Sequence, residues 1–367
     1  MIKHLFLIIG CLLAASLACA QDAPVVDQYG QFLGDDWSGK ITADAQLKAD
    51  AAKERPLLAN VKFDSAHFDQ YGGKLEGKPL TATGYFRTQK IDGRWWLITP
   101  LGNRFFMQGA DAVGYTEGGY FTPLVNPDGS TRTVFQELPD KTAFPEAYSK
   151  SNRVNFIAAN LQRKYGEKYQ QVWRDITYKR LLAWGFNSTG QWGWRFTLNL
   201  PYIEDLNFTN VRRINRDIDP FDPAFPEMVT KGIQTYRPEC KTDPMLIGYS
   251  CENENGWSKG TLASILQLRA DSPAKQAFLD FLQQRHGNDV AAVATLFKRP
   301  GASRETLLSQ PLDVNVLSES DWKAFITFAS ERYHDIVSKA VKAYDPHHMY
   351  LGEAHCNGHS IEWIAGS

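Results

Sequence analysis

Apolar runs separated by polar or glycine-containing turns predict a series of strands from residue 81 onward. Asp92 and Gly93 separate two runs rich in aromatic and β-branched residues, which is typical of a hairpin turn. The continuous apolar run at residues 104–109 is typical of a strand buried on both faces of a parallel sheet. Further strands are predicted at residues 186–189, 200–208, 245–250 and 349–352.

Apolar residues at helical spacing lie between these strands. They predict helices at residues 171–184, 223–233, 275–285, 289–297 and 321–344, and we expect Asp222 to cap the second of them. Alternating strands and helices indicate an α/β fold with right-handed crossovers, either open or closed into a barrel. Residues 21–80 show no sustained periodicity, so we expect an N-terminal linker or extension there and one domain at residues 81–367, which begins with the short β-hairpin extension around Asp92 and Gly93.

Residues 1–20 have the pattern of a secretory signal peptide. Lys3 precedes an apolar run from Leu5 to Leu17, and small residues surround Cys19 at the end of that run. About 13 apolar residues are too few for a membrane span, which needs ~20. We therefore expect cleavage and export to the periplasm or the cell exterior, with acylation of Cys19 in an outer-membrane lipoprotein as the alternative.

The balance of charge excludes some partners. The chain has 40 basic and 41 acidic residues, and its formal net charge of −1 gives no overall field that attracts nucleic acid or an anionic membrane. Its 10 tryptophans and 15 tyrosines suit a protein that stacks sugar rings, although we expect most of them to fill the core. A neutral partner is therefore expected.

The sequence indicates no cofactor. Cys240, Cys251 and Cys356 lack the spacing of a zinc site, and we expect none of them to be catalytic. One disulfide among them is left open. The sequence also contains no glycine-rich phosphate loop, nucleotide fingerprint or metal-binding motif.

The segment 252–255, Glu-Asn-Glu-Asn, directly follows an apolar strand. A carboxylate at the carboxyl end of a barrel strand points into the mouth where such folds keep their sites. Glycoside cleavage needs one protonated carboxyl and a second carboxylate that acts as nucleophile or base. Glu254 suits the first role, and the Asn253 amide suits a sugar hydroxyl. The alternative is a solvated acidic loop.

From about Gly84 to Gly352 the chain resembles the catalytic domains of glycoside hydrolase family 50 β-agarases and the related family 42 β-galactosidases. The matching segments are residues 93–96, 102–109, 182–190, 222–225, 247–257 and 345–352. This resemblance implies a (β/α)8 TIM barrel that acts with retention on β-linked galactans such as agarose. It also implies that Glu254 is the general acid/base and that Asn253 binds the neighbouring sugar hydroxyl.

The chain departs from that family in the number of predicted strands. The family's nucleophile is a glutamate after strand seven, whereas only strands one to five are predicted here, so we expect an incomplete barrel that lacks the nucleophile. An alternative nucleophile is Glu353, which follows the fifth strand and is close in sequence to His355. Geometry argues against it, because two adjacent strands would have to hold both carboxyls ~5 Å apart across one sugar face.

Other candidates for substrate binding flank the predicted strands. Trp192 and Trp194 form a glycine-spaced aromatic loop, and Trp257 is expected to be a wall against which a sugar stacks. The polar candidates are Asn187, Asp111 and Glu353, each with a local structural role as its alternative. His347 and His348 are expected to be structural.

Three functions remain open from the sequence. The first is hydrolysis of a β-linked galactan, by this chain or by a longer enzyme of which it is a part. The second is carbohydrate binding without catalysis, and the third is a structural α/β domain without a sugar site.

Overall fold

The computed structural model describes residues 23–116, 120–193, 198–235, 238–355 and 360–367. These residues divide into two compact units. The first contains the described residues up to Phe63 and those between Val113 and Phe186, and the second contains Asp64–Ala112, residues 187–193 and most of the chain from Asn199 to Ser367. The predicted signal peptide at residues 1–20 lies outside the described residues.

Strands and helices are numbered in chain order within the described residues. The strands are β1 (Arg87–Ile91), β2 (Arg94–Ile98), β3 (Arg104–Phe105), β4 (Gly109–Ala110), β5 (Thr122–Pro123), β6 (Tyr148–Ser149), β7 (Arg153–Val154), β8 (Ser188–Thr189), β9 (Tyr202–Leu206), β10 (Arg213–Ile214), β11 (Asp217–Ile218), β12 (Leu246–Cys251) and β13 (Met349–Tyr350). The α-helices are α1 (Asp44–Leu58), α2 (Phe156–Tyr165), α3 (Tyr169–Ala183), α4 (Phe225–Gln234), α5 (Lys259–Leu266), α6 (Pro273–Arg285), α7 (Val290–Leu296), α8 (Arg304–Ser309), α9 (Glu319–Tyr344) and α10 (Ile361–Ala365).

The first unit combines helices α1 to α3 with the antiparallel sheet β5-β7-β6. Glu54 of α1 joins its helices, since it pairs with Arg180 of α3 and with Lys164 of α2, whose Nζ lies 3.3 Å from the carboxylate. Helix α1 lies within the stretch expected to be a linker. Its apolar pattern is weak, because only Leu47, Ala51 and Leu58 of its 15 residues are buried.

The second unit begins with the antiparallel sheet β1-β2-β3. Ile91 pairs with Arg94, so Asp92 and Gly93 form a two-residue turn, and both have positive φ, of 49° and 79°. This backbone matches the twist of a hairpin, and the predicted turn is confirmed.

The predicted continuous strand at residues 104–109 is wrong, because the run divides between two sheets. β3 pairs antiparallel with β2, whereas β4 pairs parallel with β8. The apolar run is not buried on both faces: Phe105 is buried beside Phe86, while the next residue, Phe106, is 71% exposed.

The main sheet has five parallel strands in the order β13-β12-β9-β8-β4, so neighbours in space are successive strands of the α/β pattern. The predicted strands two to five are confirmed, as are the four predicted helices matching α3, α6, α7 and α9. The helix predicted at 223–233 begins later, at Phe225, and Asp222 instead accepts a bond from the Ala224 amide. β9, β12 and the helices α4 to α10 share one buried apolar cluster.

Asp345 and His348 fix the approach to β13. The Asp345 carboxylate is buried and lies 2.7 Å from His348 Nδ1, and it accepts a hydrogen bond of 2.8 Å from the Tyr249 hydroxyl of β12. Burial alone would raise the pKa of Asp345, but the bonds from His348 and Tyr249 outweigh it and hold this pKa well below its usual range. The structural role expected for His348 is confirmed, and His347 stacks on the ring of Tyr85.

Asp345→Asn should destabilise the protein by about 3 kcal/mol, because it removes one partner of a buried charged cluster. The matched control is Asp335→Asn, which removes an exposed pair with Lys339 on α9 and should cost about 0.5 kcal/mol or less. Chemical denaturation of both variants measures the two free energies of unfolding. Equal losses would contradict the role assigned to the buried cluster.

Candidate functional site

The parallel strands of the second unit end beside a cavity of about 330 Å³. Parallel strands direct their carboxyl ends to the same edge of a sheet, where α/β folds commonly bind ligands. The residues that line the cavity come from β4, β8, β9, β12 and β13 or from the loops next to them: Met107, Gly109, Asp111, Gly190, Gln191, Ile203, Ser250, Leu351, Glu353 and Ala354. We take this cavity as the candidate site.

Left-handed backbone recurs in the loops after these strands. Positive φ is found at Ala112 after β4 (53°), at Trp192 after β8 (57°), and at Glu252 (65°) and Glu254 (52°) after β12. Each such residue other than glycine costs about 1 kcal/mol or more, and the cost persists only where the surrounding structure imposes it. Conformations of this kind cluster at binding and catalytic sites.

Glu254 lies at the carboxyl end of β12, as expected. Its backbone N–H donates to the carbonyl oxygen of Ala354 at 3.0 Å, and the preceding Asn253 forms a parallel bridge with the same residue. The Glu254 side chain is half-buried and that of Asn253 is exposed. Ala354 lines the cavity, so both residues adjoin the candidate site through the backbone pairing of β12 and β13.

Glu252 has a structural role that the sequence does not distinguish from that of Glu254. Its carboxylate is buried and accepts hydrogen bonds from the Phe208 amide at 2.5 Å and from Arg213 at 2.7 Å. These bonds tie the end of β12 to the segment after β9. Because Glu252 is held in this way, the backbone that leads to Glu254 is held as well.

Glu353 follows β13 and is 8% exposed. Trp363 Nε1 donates to one of its oxygens at 2.5 Å, and Asn255 Nδ2 donates to the other at 3.3 Å. Burial raises the pKa of Glu353 to about 8, and the carboxylates of Glu252 and Asp217 act in the same direction, while the two hydrogen bonds only partly offset these effects. Glu353 is therefore largely a neutral carboxylic acid at neutral pH.

Asp111 joins a polar chain that crosses the cavity. Its Oδ1 accepts from the Gln191 backbone amide at 2.9 Å, and Gln191 Nε2 donates to Ser250 Oγ at 2.5 Å. Gln191 and Ser250 were not identified from the sequence, although each lies within or beside a predicted strand end. Their positions depend on the pairing of three strands, which no local motif reveals.

The aromatic candidates have different environments. Trp192 is 38% exposed, and its backbone amide donates to Asp205 at 2.6 Å, so its ring remains available at the strand ends. Trp257 is fully buried, donates from Nε1 to the Ile218 carbonyl, and stacks on Trp363. The sugar-stacking role expected for Trp257 is therefore wrong for this structure. Trp194 lies outside the described residues.

Asn187 does not lie at the carboxyl end of its strand, because it precedes β8. Its Nδ2 donates to the Phe106 carbonyl at 2.9 Å, and its Oδ1 accepts from the Gln108 amide at 2.9 Å. Both ends of the amide are bound to backbone. The structure therefore supports the structural alternative for Asn187 and not the expected contact with substrate.

The remaining candidate features are cysteine thiols, metal-binding groups and membrane-spanning helices. Cys240 and Cys251 are buried free thiols, and Cys356 lies outside the described residues. Among the described residues, no group of three or more histidine, cysteine, aspartate or glutamate side chains is arranged to hold a metal ion. Across the same residues, every helix is too short or too polar to cross a membrane.

Two curated proteins of a Vibrio species (strain JT0107) are similar to this chain in sequence. β-Agarase B is 29% identical over 385 residues, which cover 89% of the chain and 39% of the relative. β-Agarase A is 25% identical over 378 residues, which cover 90% of the chain and 37% of the relative. The chain thus spans about two fifths of the length of these relatives. No family model matches it.

Solved structures extend this similarity to the fold. The agarase AgWH50C superposes with a TM-score of 0.78, the protein PfGH50B with 0.80 and an exo-β-agarase with 0.75, each at 25% identity. Each alignment covers 94% of this chain and 55% to 56% of the solved chain. On sequence and fold together, the chain is similar to β-agarases and to solved structures of the GH50 group.

Proposed function

We propose that this domain acts in the hydrolysis of a neutral β-linked galactan of the agarose type, with Glu254 as the general acid/base. Similarity to two β-agarases supports the substrate class. The observation that carries the assignment is the position of Glu254, which follows the carboxyl end of a fully buried strand and bonds through its backbone to Ala354, a residue that lines the cavity.

The backbone at Glu254 supports a functional role. Left-handed φ at Glu252 and Glu254 turns the chain sharply on either side of Asn253. Such strain persists where the local fold imposes it, and the bonds from Phe208 and Arg213 to Glu252 supply that restraint. We infer that the turn serves to hold Glu254 against the sugar and to leave Asn253 exposed for a neighbouring hydroxyl.

A general acid gives its proton to the glycosidic oxygen as the bond to the anomeric carbon breaks. In a retaining mechanism, an ionised carboxylate ~5 Å away attacks that carbon and forms a glycosyl-enzyme intermediate. Water then hydrolyses the intermediate, and the first carboxylate acts as the base. We propose retention for this domain, within a (β/α)8 barrel to which the five parallel strands contribute.

We do not assign the nucleophile to Glu353 or to Glu252. A nucleophile must be ionised, whereas burial keeps Glu353 largely protonated at neutral pH. Both oxygens of Glu252 are bound by Phe208 and Arg213, so this carboxylate is held away from attack. The proposal therefore places the second carboxylate outside the set formed by Glu252, Glu254 and Glu353.

Sugar binding without cleavage is the second candidate function. It is favoured by the polar groups that line the cavity, by the partly exposed Trp192 next to the lining residue Gln191, and by a Glu353 that is largely protonated. In either case the proposed partner is a neutral galactan, and Asp111 binds its hydroxyls. We further propose export through residues 1–20.

Glu254→Gln should lower the rate of agarose-oligosaccharide hydrolysis by about 100-fold to 1,000-fold, because the leaving oxygen loses its proton donor. Affinity for the oligosaccharide should change little. Release of reducing ends and calorimetric titration measure the two effects separately. Glu331→Gln, on an exposed position of α9, is the matched control and should retain the full rate.

A substrate with a dinitrophenyl leaving group sharpens this test, since such a group departs without protonation. Its cleavage by Glu254→Gln should fall far less than that of the oligosaccharide. Equal losses on both substrates would overturn the acid role. If the unsubstituted chain binds the oligosaccharide and cleaves neither substrate, the binding function is the correct one.

Gly190→Ala should reduce sugar affinity by about 10-fold or more. The added Cβ would overlap Asp111 Oδ1, so the carboxylate must move and the bond from Gln191 is lost. Gly260→Ala is the control, because its Cβ would meet only Ser258 Oγ at 3.4 Å and its position in α5 favours alanine. Unchanged affinity in Gly190→Ala would exclude Asp111 from the binding site.

A further inference from the structure

Glu353 is among the residues that line the cavity, but its side chain is 0% exposed. The carboxyl therefore cannot contact a sugar directly, and the proposed hydrolysis gives it no role. We propose that Glu353 is a positioning residue, which fixes the general acid Glu254 through a side-chain hydrogen bond from Asn255. This inference rests on the proposed function, because it takes Glu254 as the acid. It goes further by assigning the restraint that holds this acid in place.

One side-chain hydrogen bond flanks the backbone bond that holds Glu254. The Glu254 amide donates to the carbonyl oxygen of Ala354 at 3.0 Å. On the residues adjacent to this pair, Asn255 Nδ2 donates to a Glu353 carboxyl oxygen at 3.3 Å. The side-chain bond therefore joins the segment after β12 to the segment after β13 at the place where Glu254 is held.

Both partners of this side-chain bond are themselves held. Asn255 is 2% exposed, and its Oδ1 accepts from the Ile218 amide of β11 at 2.6 Å. The other oxygen of Glu353 accepts from Trp363 Nε1 at 2.5 Å, and Trp363 is fully buried against Trp257. A buried chain of hydrogen bonds thus runs from β11 through Asn255 and Glu353 to α10. Buried polar groups linked in this way rigidify the backbone that carries them.

The backbone at Glu254 requires a restraint on both sides. Its φ of 52° is a left-handed conformation, which persists only where the surrounding structure imposes it. The hydrogen bonds to Glu252 hold the chain before Glu254, whereas those of Asn255 hold the chain after it. With both sides fixed, the Glu254 carboxyl is kept within the small tolerance in position that proton transfer demands.

Glu353→Gln tests this role, because an amide keeps the size of the side chain but has one oxygen. It can therefore accept only one of the two bonds that Glu353 accepts from Asn255 and Trp363. For the full chain acting on an agarose oligosaccharide, kcat should fall about 10-fold to 100-fold, since a misplaced acid protonates poorly. KM should change little, because the side chain does not contact the sugar. Cleavage of the dinitrophenyl substrate needs no protonation and should fall less than about threefold.

A second variant and a control separate positioning from loss of stability. Asn255→Ala also removes the acceptor of the Ile218 amide, so it should show the same difference between the two substrates with a larger loss on the oligosaccharide. Lys275→Met is the control, because it removes two buried hydrogen bonds to the Leu268 and Gln310 carbonyls, outside the candidate site. It should lower the free energy of unfolding and leave both rates unchanged at temperatures where the chain is folded.

Amide hydrogen exchange, followed by NMR, supplies a measurement that does not depend on catalysis. Protection of the Glu254 amide should fall about 10-fold in Glu353→Gln, because a bond that limits local opening is lost, and should be unchanged in Lys275→Met. Unchanged protection in Glu353→Gln, or equal losses on the two substrates, would overturn this inference and leave the acid role of Glu254 intact. If the unsubstituted chain cleaves neither substrate, the proposed hydrolysis is overturned, and the exchange result alone decides whether Glu353 positions Glu254.

Discussion

The pairing of β12 with β9 on one side and with β13 on the other is the constraint on which the candidate site depends. β12 is buried along its whole length, and its parallel register with both neighbours brings Glu254, Ala354 and the loop after β9 to one edge of the sheet. The buried Asp345 carboxylate contacts His348 and the Tyr249 hydroxyl, and so joins the segment before β13 to β12. The position of Glu254 is therefore set by the pairing of β9, β12 and β13.

Burial and local partners give three glutamates near this edge three different properties. Glu252 is buried and paired with Arg213, Glu353 is buried and largely neutral, and Glu254 is half-buried without either restraint. Residue type alone does not distinguish them. The difference arises from the neighbours that each carboxyl meets when strands from distant parts of the chain come together.

The sequence predicts the parallel sheet well, because its strands are apolar runs that alternate with amphipathic helices. It also predicts the place of Glu254, since a carboxylate directly after such a strand must lie at the edge of the sheet. It fails where the answer depends on distant residues. Trp257 looks like a sugar platform until Trp363 and the Ile218 carbonyl cover it.

The other errors have different causes. Asn187 was expected at the end of the strand predicted over residues 186–189, but the strand has only two residues, Ser188 and Thr189, and Asn187 precedes both. The run at 104–109 looked like one strand because both of its halves are apolar. The raised pKa of Glu353 had no signal in the sequence, because its burial, and to a lesser extent the approach of Glu252 and Asp217, arise only through the fold.

A crystal structure of the chain with a bound agarose oligosaccharide tests the central claim most directly. The account predicts a sugar in the cavity at the carboxyl ends of the parallel strands, with a Glu254 carboxyl oxygen within about 3 Å of a glycosidic oxygen. A sugar bound elsewhere, or a Glu254 side chain directed away from every glycosidic oxygen, would contradict it.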